Sequence, residues 1–74
     1  MLVEEYDAIL VKQGGVCAIC ARIPLPDKLL HVDHDHGTGV VRGLLCQQCN
    51  HAIGLLGDNP STLRAAVQYL SVKV

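Results

Sequence analysis

Tryptophan and phenylalanine are absent, and Tyr6 and Tyr69 are the only aromatic residues among 74. A core must be built from Leu, Ile, Val and Ala, which bury less area per side chain than aromatic rings. At this length such a core is marginal without a staple. Long apolar runs are missing too: none approaches the roughly 20 residues that span a bilayer, so no membrane partner is expected. The N-terminus, Met1-Leu2-Val3-Glu4-Glu5, is acidic and amphipathic and does not read as a secretory leader. Positive charge is scarce: 6 Lys and Arg stand against 7 Asp and Glu, for a net charge of −1 with neutral histidines. That excludes the strongly basic balance of a general DNA-binding domain. A nucleic-acid site would have to be a local patch, lean on a divalent cation or borrow affinity from a partner. No internal repeat, low-complexity segment or linker is visible, so residues 1–74 are expected to form one domain.

Half of the residues are hydrophobic, which favours a folded chain over a disordered one. The staple is visible in two CxxC pairs, Cys17-Ala18-Ile19-Cys20 and Cys46-Gln47-Gln48-Cys49. Four cysteines allow two disulfides or one zinc site; without a leader, a reducing compartment fits and the pairs read as zinc. Two such pairs suit one four-cysteine tetrahedron better than a thioredoxin-like redox motif. A zinc ion held by four thiolates is coordinatively closed and hence structural; it would take the net charge to about −3.

Leu2, Val3, Tyr6, Ile9 and Leu10 recur at helical spacing, and Gly14-Gly15 ends that helix. Pro24 and Pro26 mark a loop. Leu29 to Val32 reads as a strand running into Asp33, Gly37-Thr38-Gly39 as a turn and Val40-Val41-Arg42 as the returning strand, a hairpin over 29–44. A second helix is predicted from near Cys46 to Leu56, stopped by Gly57. Asn59-Pro60 caps a third, with Leu63, Ala66, Val67 and Leu70 on its apolar face. The expected fold is small α+β, zinc-stapled, with helices flanking a hairpin–helix unit.

The chemistry-bearing residues lie between the cysteine pairs and just after them. Asp33 and Asn50 offer hard oxygen ligands suited to Mg2+ or Mn2+. Asn50 follows a zinc ligand, so the structural metal would fix where it points. Imidazole can accept a proton at pH 7, which makes His34 the candidate general base. His36, two residues on, would share a face with it along a continuous strand and contact the phosphate. The same alternation places Asp33 on the opposite face from His34, so the strand must end, twist or bulge there. Asp35 reads as solvent-facing or as supporting a ligand. His31 reads as strand surface and His51 as helix surface. Arg42 reads equally as a phosphate contact or as hairpin surface. Lys12, Arg22, Lys28 and Arg64 read as solvated charges, one or two of which would track a DNA backbone. The stripes Leu2/Tyr6/Ile9 and Leu63/Val67/Leu70 read as core or dimer surface.

Gln13-Gly14-Gly15-Val16-Cys17-Ala18-Ile19-Cys20, Val32-Asp33-His34-Asp35-His36-Gly37-Thr38-Gly39, Val41-Arg42-Gly43-Leu44-Leu45-Cys46 and Cys49-Asn50 together resemble the recombination endonuclease VII family, a phage-associated branch of the HNH, or ββα-metal, nucleases. The resemblance implies a ββα-metal finger with a divalent cation between hairpin and helix. It implies Asp33 and Asn50 as ligands of that cation, His34 as general base and His36 as a phosphate-contacting catalytic residue. It implies zinc at Cys17, Cys20, Cys46 and Cys49, DNA as substrate, and 5′-phosphate and 3′-hydroxyl products. A phage origin, with action in the bacterial cytoplasm, follows from the same likeness.

The chain departs from the family pattern in three places. It stops soon after Leu70, without the long C-terminal region of the junction resolvase, so four-way-junction resolution is not carried over. Ile53 stands where that resolvase has an acidic helper residue. Ala21 follows Cys20 where relatives often have Gly. The expected function is a metal-dependent, HNH-type DNA endonuclease; the alternative is a non-catalytic, zinc-stapled module that binds DNA or protein. Either could work as a homodimer or within a larger complex.

Overall fold

A computed structural model describes residues 1–72. Helix α1 (Val3–Lys12) carries Glu4 and Glu5 in its first turn and Lys12 in its last, matching the helix dipole at both ends. Gly14 and Gly15 then adopt left-handed φ values of 72° and 77° and return their N–H groups to the carbonyls of Val11 and Leu10. Only glycine takes two such residues in succession without a Cβ penalty. Tyr6, Ile9 and Leu10 pack against the core, whereas Leu2 and Val3 stay exposed.

Strands β1 (His31–His34) and β2 (Val41–Leu45) form an antiparallel hairpin. Its return strand runs from Val41 to Leu45 instead of stopping at Arg42, because Leu44 and Leu45 continue into the core. Asp33 pairs with Gly43 and His34 with Val41, so Arg42 is an extra residue in β2. This is the bulge demanded by the alternation at Asp33–His34, although the added residue lies in the partner strand. β1 ends at His34, and His36 falls in the following turn. The expectation that His34 and His36 share one strand face is therefore corrected. Asp35 explains the early end: its Oδ1 accepts N–H bonds from Gly37 and Thr38 at 2.8 and 3.0 Å, folding the chain into an Asx turn.

Helix α2 (Gln47–Leu55) starts from Cys46, whose Sγ accepts the Cys49 N–H as an N-cap would. Gly57 (φ 77°) and Asp58 (φ 55°) reverse the chain. Asn59 caps α3 (Pro60–Ser71) by accepting the Ser61 N–H at 2.9 Å, with Pro60 in the first turn. Leu63 and Ala66 are half-buried, while Val67 and Leu70 are 61% and 80% exposed. Within the described residues, therefore, the α3 stripe is not core beyond its first two turns.

The buried core is small: Cys17, Leu30, Leu44 and Leu45, ringed by Tyr6, Ile9, Leu10, Val32, Ile53 and the other cysteines. Two polar side chains tie the N-terminal segment to it. The Tyr6 hydroxyl donates to the Leu30 carbonyl at 2.7 Å. The Gln13 amide accepts the Leu44 N–H at 2.8 Å and donates to the Leu44 carbonyl at 3.0 Å, acting as a one-residue strand against β2.

Candidate metal centres and nucleic-acid cleft

The four cysteine sulfurs lie within 4.8 Å of one another, and Cys20 Sγ and Cys46 Sγ are 3.8 Å apart. A zinc tetrahedron with Zn–S bonds of about 2.3 Å has edges of about 3.8 Å. That spacing far exceeds a disulfide bond of about 2.05 Å. The Cys17 sulfur accepts N–H groups from Ile19 and Cys46 at 3.5 and 3.4 Å. Burial pushes the Cys17 thiol up, but these backbone donors outweigh it and bring its pKa down to about 6. Burial, aided by contacts to the other sulfurs, pushes Cys49 up to about 12. The split has a simple cause: four crowded sulfurs cannot all ionise without a cation among them. A divalent ion favoured by thiolates, such as zinc, fits this donor set.

A second candidate site draws its residues from the hairpin and α2. A cleft of about 400 Å³ is lined by Asp33 from β1, His36 from the turn, Asn50 and His51 from α2, and Asp58 from the α2–α3 loop. Asp33 is 7% exposed and Asn50 half-buried, and these two residues with hard oxygen donors line one recess. That set suits Mg2+ or Mn2+ with several positions left for water and phosphate oxygens. The structure thus brings together Asp33, Asn50 and His36. Among the described residues lining this cleft, His34 does not figure; it is exposed at the end of β1, beside Asp33.

The Arg42 side chain is engaged by two carboxylates. Its Nε donates to Asp33 Oδ2 at 2.7 Å and its Nη2 to Asp33 Oδ1 at 3.0 Å. Nη1 and Nη2 also donate to Asp58 at 3.2 and 2.9 Å. Four of the five guanidinium N–H groups are spent on two carboxylates. Hydrogen bonds from Arg42 hold the Asp58 carboxyl below the usual range, and the two carboxylates raise Arg42 in turn. The bulge explains the reach: an extra residue in β2 re-aims the Arg42 side chain towards Asp33.

Asp58 was not anticipated from the sequence. It stands between the helix stop Gly57 and the cap Asn59, where a short loop acidic residue looks like turn chemistry. Its available signal was the need for a residue tolerant of positive φ between two helices, which Asp satisfies. Asp35 serves the turn; the Thr38 and Gly37 N–H groups lower its pKa. His51 is exposed on α2 but does border the cleft.

The family model described as recombination endonuclease VII matches residues 1–72. The Gene 59 protein of Mycobacterium phage D29 is 52% identical over 68 residues, covering 90% of this chain and 41% of that protein. The Gene 59 protein of Mycobacterium phage L5 is 47% identical over 68 residues, covering 90% and 42%. The chain therefore spans about two fifths of the length of these relatives. Among solved structures, the ββα-Me type II restriction endonuclease Hpy99I superposes with a TM-score of 0.68 at 35% identity, over 90% of this chain and 38% of that one.

Proposed function

The chain belongs to the recombination endonuclease VII family, and from that premise we propose that it is a nuclease domain that hydrolyses DNA phosphodiesters with the help of Mg2+ or Mn2+. The observation that carries this reading is the convergence of Asp33, Asn50 and His36 on one cleft between hairpin and helix. The 90% overlap with a ββα-Me endonuclease at 35% identity supports the same class.

Asp33 and Asn50 would hold the divalent cation, which when bound would neutralise charge building on the phosphate and the leaving oxygen. His34 takes a proton from the attacking water at an imidazole nitrogen; its exposed place beside Asp33 leaves it open to a strand laid across the cleft. His36, on the cleft wall, donates a hydrogen bond to a phosphate oxygen. In-line attack breaks the bond to the 3′-oxygen and leaves a 5′-phosphate and a 3′-hydroxyl. The HNH type, the one-domain organisation of residues 1–74 and action in the cytoplasm of a phage-infected bacterium belong to the same proposal. The described helices include none long and apolar enough to cross a membrane.

The test is cleavage of plasmid DNA by zinc-loaded protein with Mg2+ or Mn2+. His34→Ala is expected to lower the rate by at least about 100-fold, the lower end of what a general base contributes, with zinc content unchanged. Undiminished cleavage by that variant would falsify the assignment of His34. No cleavage by the wild type on linear, nicked or branched DNA would leave the non-catalytic zinc module as the better reading.

A further inference from the structure

Asp33 poses an electrostatic problem. Its carboxylate is almost fully buried, and both oxygens are already engaged by Arg42. A divalent cation bound at Asp33 would compete with the guanidinium for the same two oxygens, since the two positive charges repel at close range. Removing Arg42 altogether would leave a buried carboxylate unpaired whenever the cation is absent, which is costly. Asp58 answers both demands. It already takes two hydrogen bonds from Arg42 while Asp33 takes the other two. The guanidinium can therefore give up Asp33 without losing its countercharge.

We propose that Arg42 is a built-in stand-in for the divalent cation and that Asp58 is the positioning residue that draws it off Asp33 when the cation arrives. The inference rests on the reading of Asp33 as a cation ligand. Asp58 acts through Arg42 and is not itself a ligand. Its left-handed backbone (φ 55°) matters here, because Asn tolerates that region as Asp does. Asp58→Asn therefore removes charge while keeping shape.

The experiment is Mn2+ binding to zinc-loaded protein by calorimetry and electron paramagnetic resonance, without DNA. Wild type is expected to bind, and Asp33→Ala to lose binding. Asp58→Asn is expected to weaken binding about tenfold, since Arg42 then has Asp33 as its one charged partner. In an Arg42→Gln background, Asp58→Asn is expected to change affinity less than twofold. Equal affinity of Asp58→Asn and wild type overturns the proposal. So does a full tenfold loss in the Arg42→Gln background, which would make Asp58 a direct ligand. If Asp33→Ala leaves Mn2+ binding intact, the cation reading of Asp33 fails and the proposal falls with it. A signal independent of any variant guards against misfolding of Arg42→Gln: saturating Mg2+ should shift the Arg42 guanidinium proton resonances of the wild type. Resonances that stay in place at saturation equally overturn the proposal.

Discussion

The cysteine cluster and the Asp33 cleft are built within a few residues of each other yet by opposite means. The cysteines sit against a close-packed core, with Cys17 and Leu44 at 1% and 0% exposure. Their N–H···S bonds come from backbone, which cannot rearrange without unfolding the knuckle. The cleft is open, lined by Asp33, His36, Asn50, His51 and Asp58 together with Ile53 and Leu55, and two of its carboxylates share one side chain, Arg42. A structural site benefits from rigid, fully committed ligands. A site that must admit a cation and a phosphate benefits from ligands whose partners can be exchanged. Cys49 and Asn50 join the two: adjacent residues on α2, one in the cysteine cluster and one lining the cleft.

The largest test of this contrast removes the rigid half. Cys46→Ser deletes one of the four sulfurs, while the serine hydroxyl can still cap α2. Structural zinc in small domains supplies on the order of 10 kcal/mol, so zinc loss should unfold the hairpin and α2 in one transition. Circular dichroism with zinc analysis reads the result. A folded, zinc-free variant would show that the small core suffices alone. Acidification should find the same hierarchy. The folded pKa values of Asp35 and Asp58 lie below 3.8, so their contribution to stability is intact above pH 3.8 and is lost as pH falls through the lower folded values. Protons compete for zinc-bound thiolates at higher pH than that. Unfolding should thus coincide with zinc release while both carboxylates are still ionised, and added zinc should move the midpoint down towards the carboxylate limit. A midpoint already below pH 3.8, indifferent to zinc, would reverse the ranking of the two regions.

A smaller test probes the seam between α1 and the hairpin. A Cβ at Gly43 would lie 3.1 Å from Gln13 Oε1. The Gln13 amide is pinned by the Val16 carbonyl and by both backbone groups of Leu44, so it cannot yield freely. Gly43→Ala is expected to cost about 1 kcal/mol, overpacking outweighing the gain from a stiffer unfolded chain. Denaturant melts of zinc-loaded protein would show this, and a neutral or stabilising result would mean that Gln13 is looser than its three hydrogen bonds suggest.

How much of this was legible beforehand follows the same divide. The cysteine site could be read from spacing because backbone-held ligands recur at fixed intervals along the chain. The helix ends were legible for a related reason: Gly14-Gly15, Gly57 and Asn59-Pro60 act on their own backbone. The Arg42 bridge was not legible. It depends on a bulge that adds one residue to β2 and on a loop carboxylate 16 positions away, neither of which leaves a periodic trace. The turn at Asp35 was obscured because DHDH looks like a continuing strand until the Asp35 side chain competes for the Gly37 and Thr38 N–H groups.

The smallest prediction isolates the rigid half without disturbing the cleft. Ala21 closes the first cysteine knuckle at φ 60°, a left-handed conformation that a Cβ disfavours by roughly 1–2 kcal/mol. Its N–H bonds the Cys17 carbonyl at 3.0 Å, so the residue cannot relax without opening the knuckle. Ala21→Gly removes that strain but adds freedom to the unfolded chain, which offsets about 0.4–1 kcal/mol. A net stabilisation of about 0.5–1 kcal/mol is expected in the thermal melt of zinc-loaded protein, together with slower zinc release to a chelator. Mn2+ affinity should not change, because Ala21 lies outside the Asp33 cleft. If Ala21→Gly tightened Mn2+ binding as well, strain in the knuckle would be reaching Asn50 through α2, and the two centres would be coupled rather than merely adjacent.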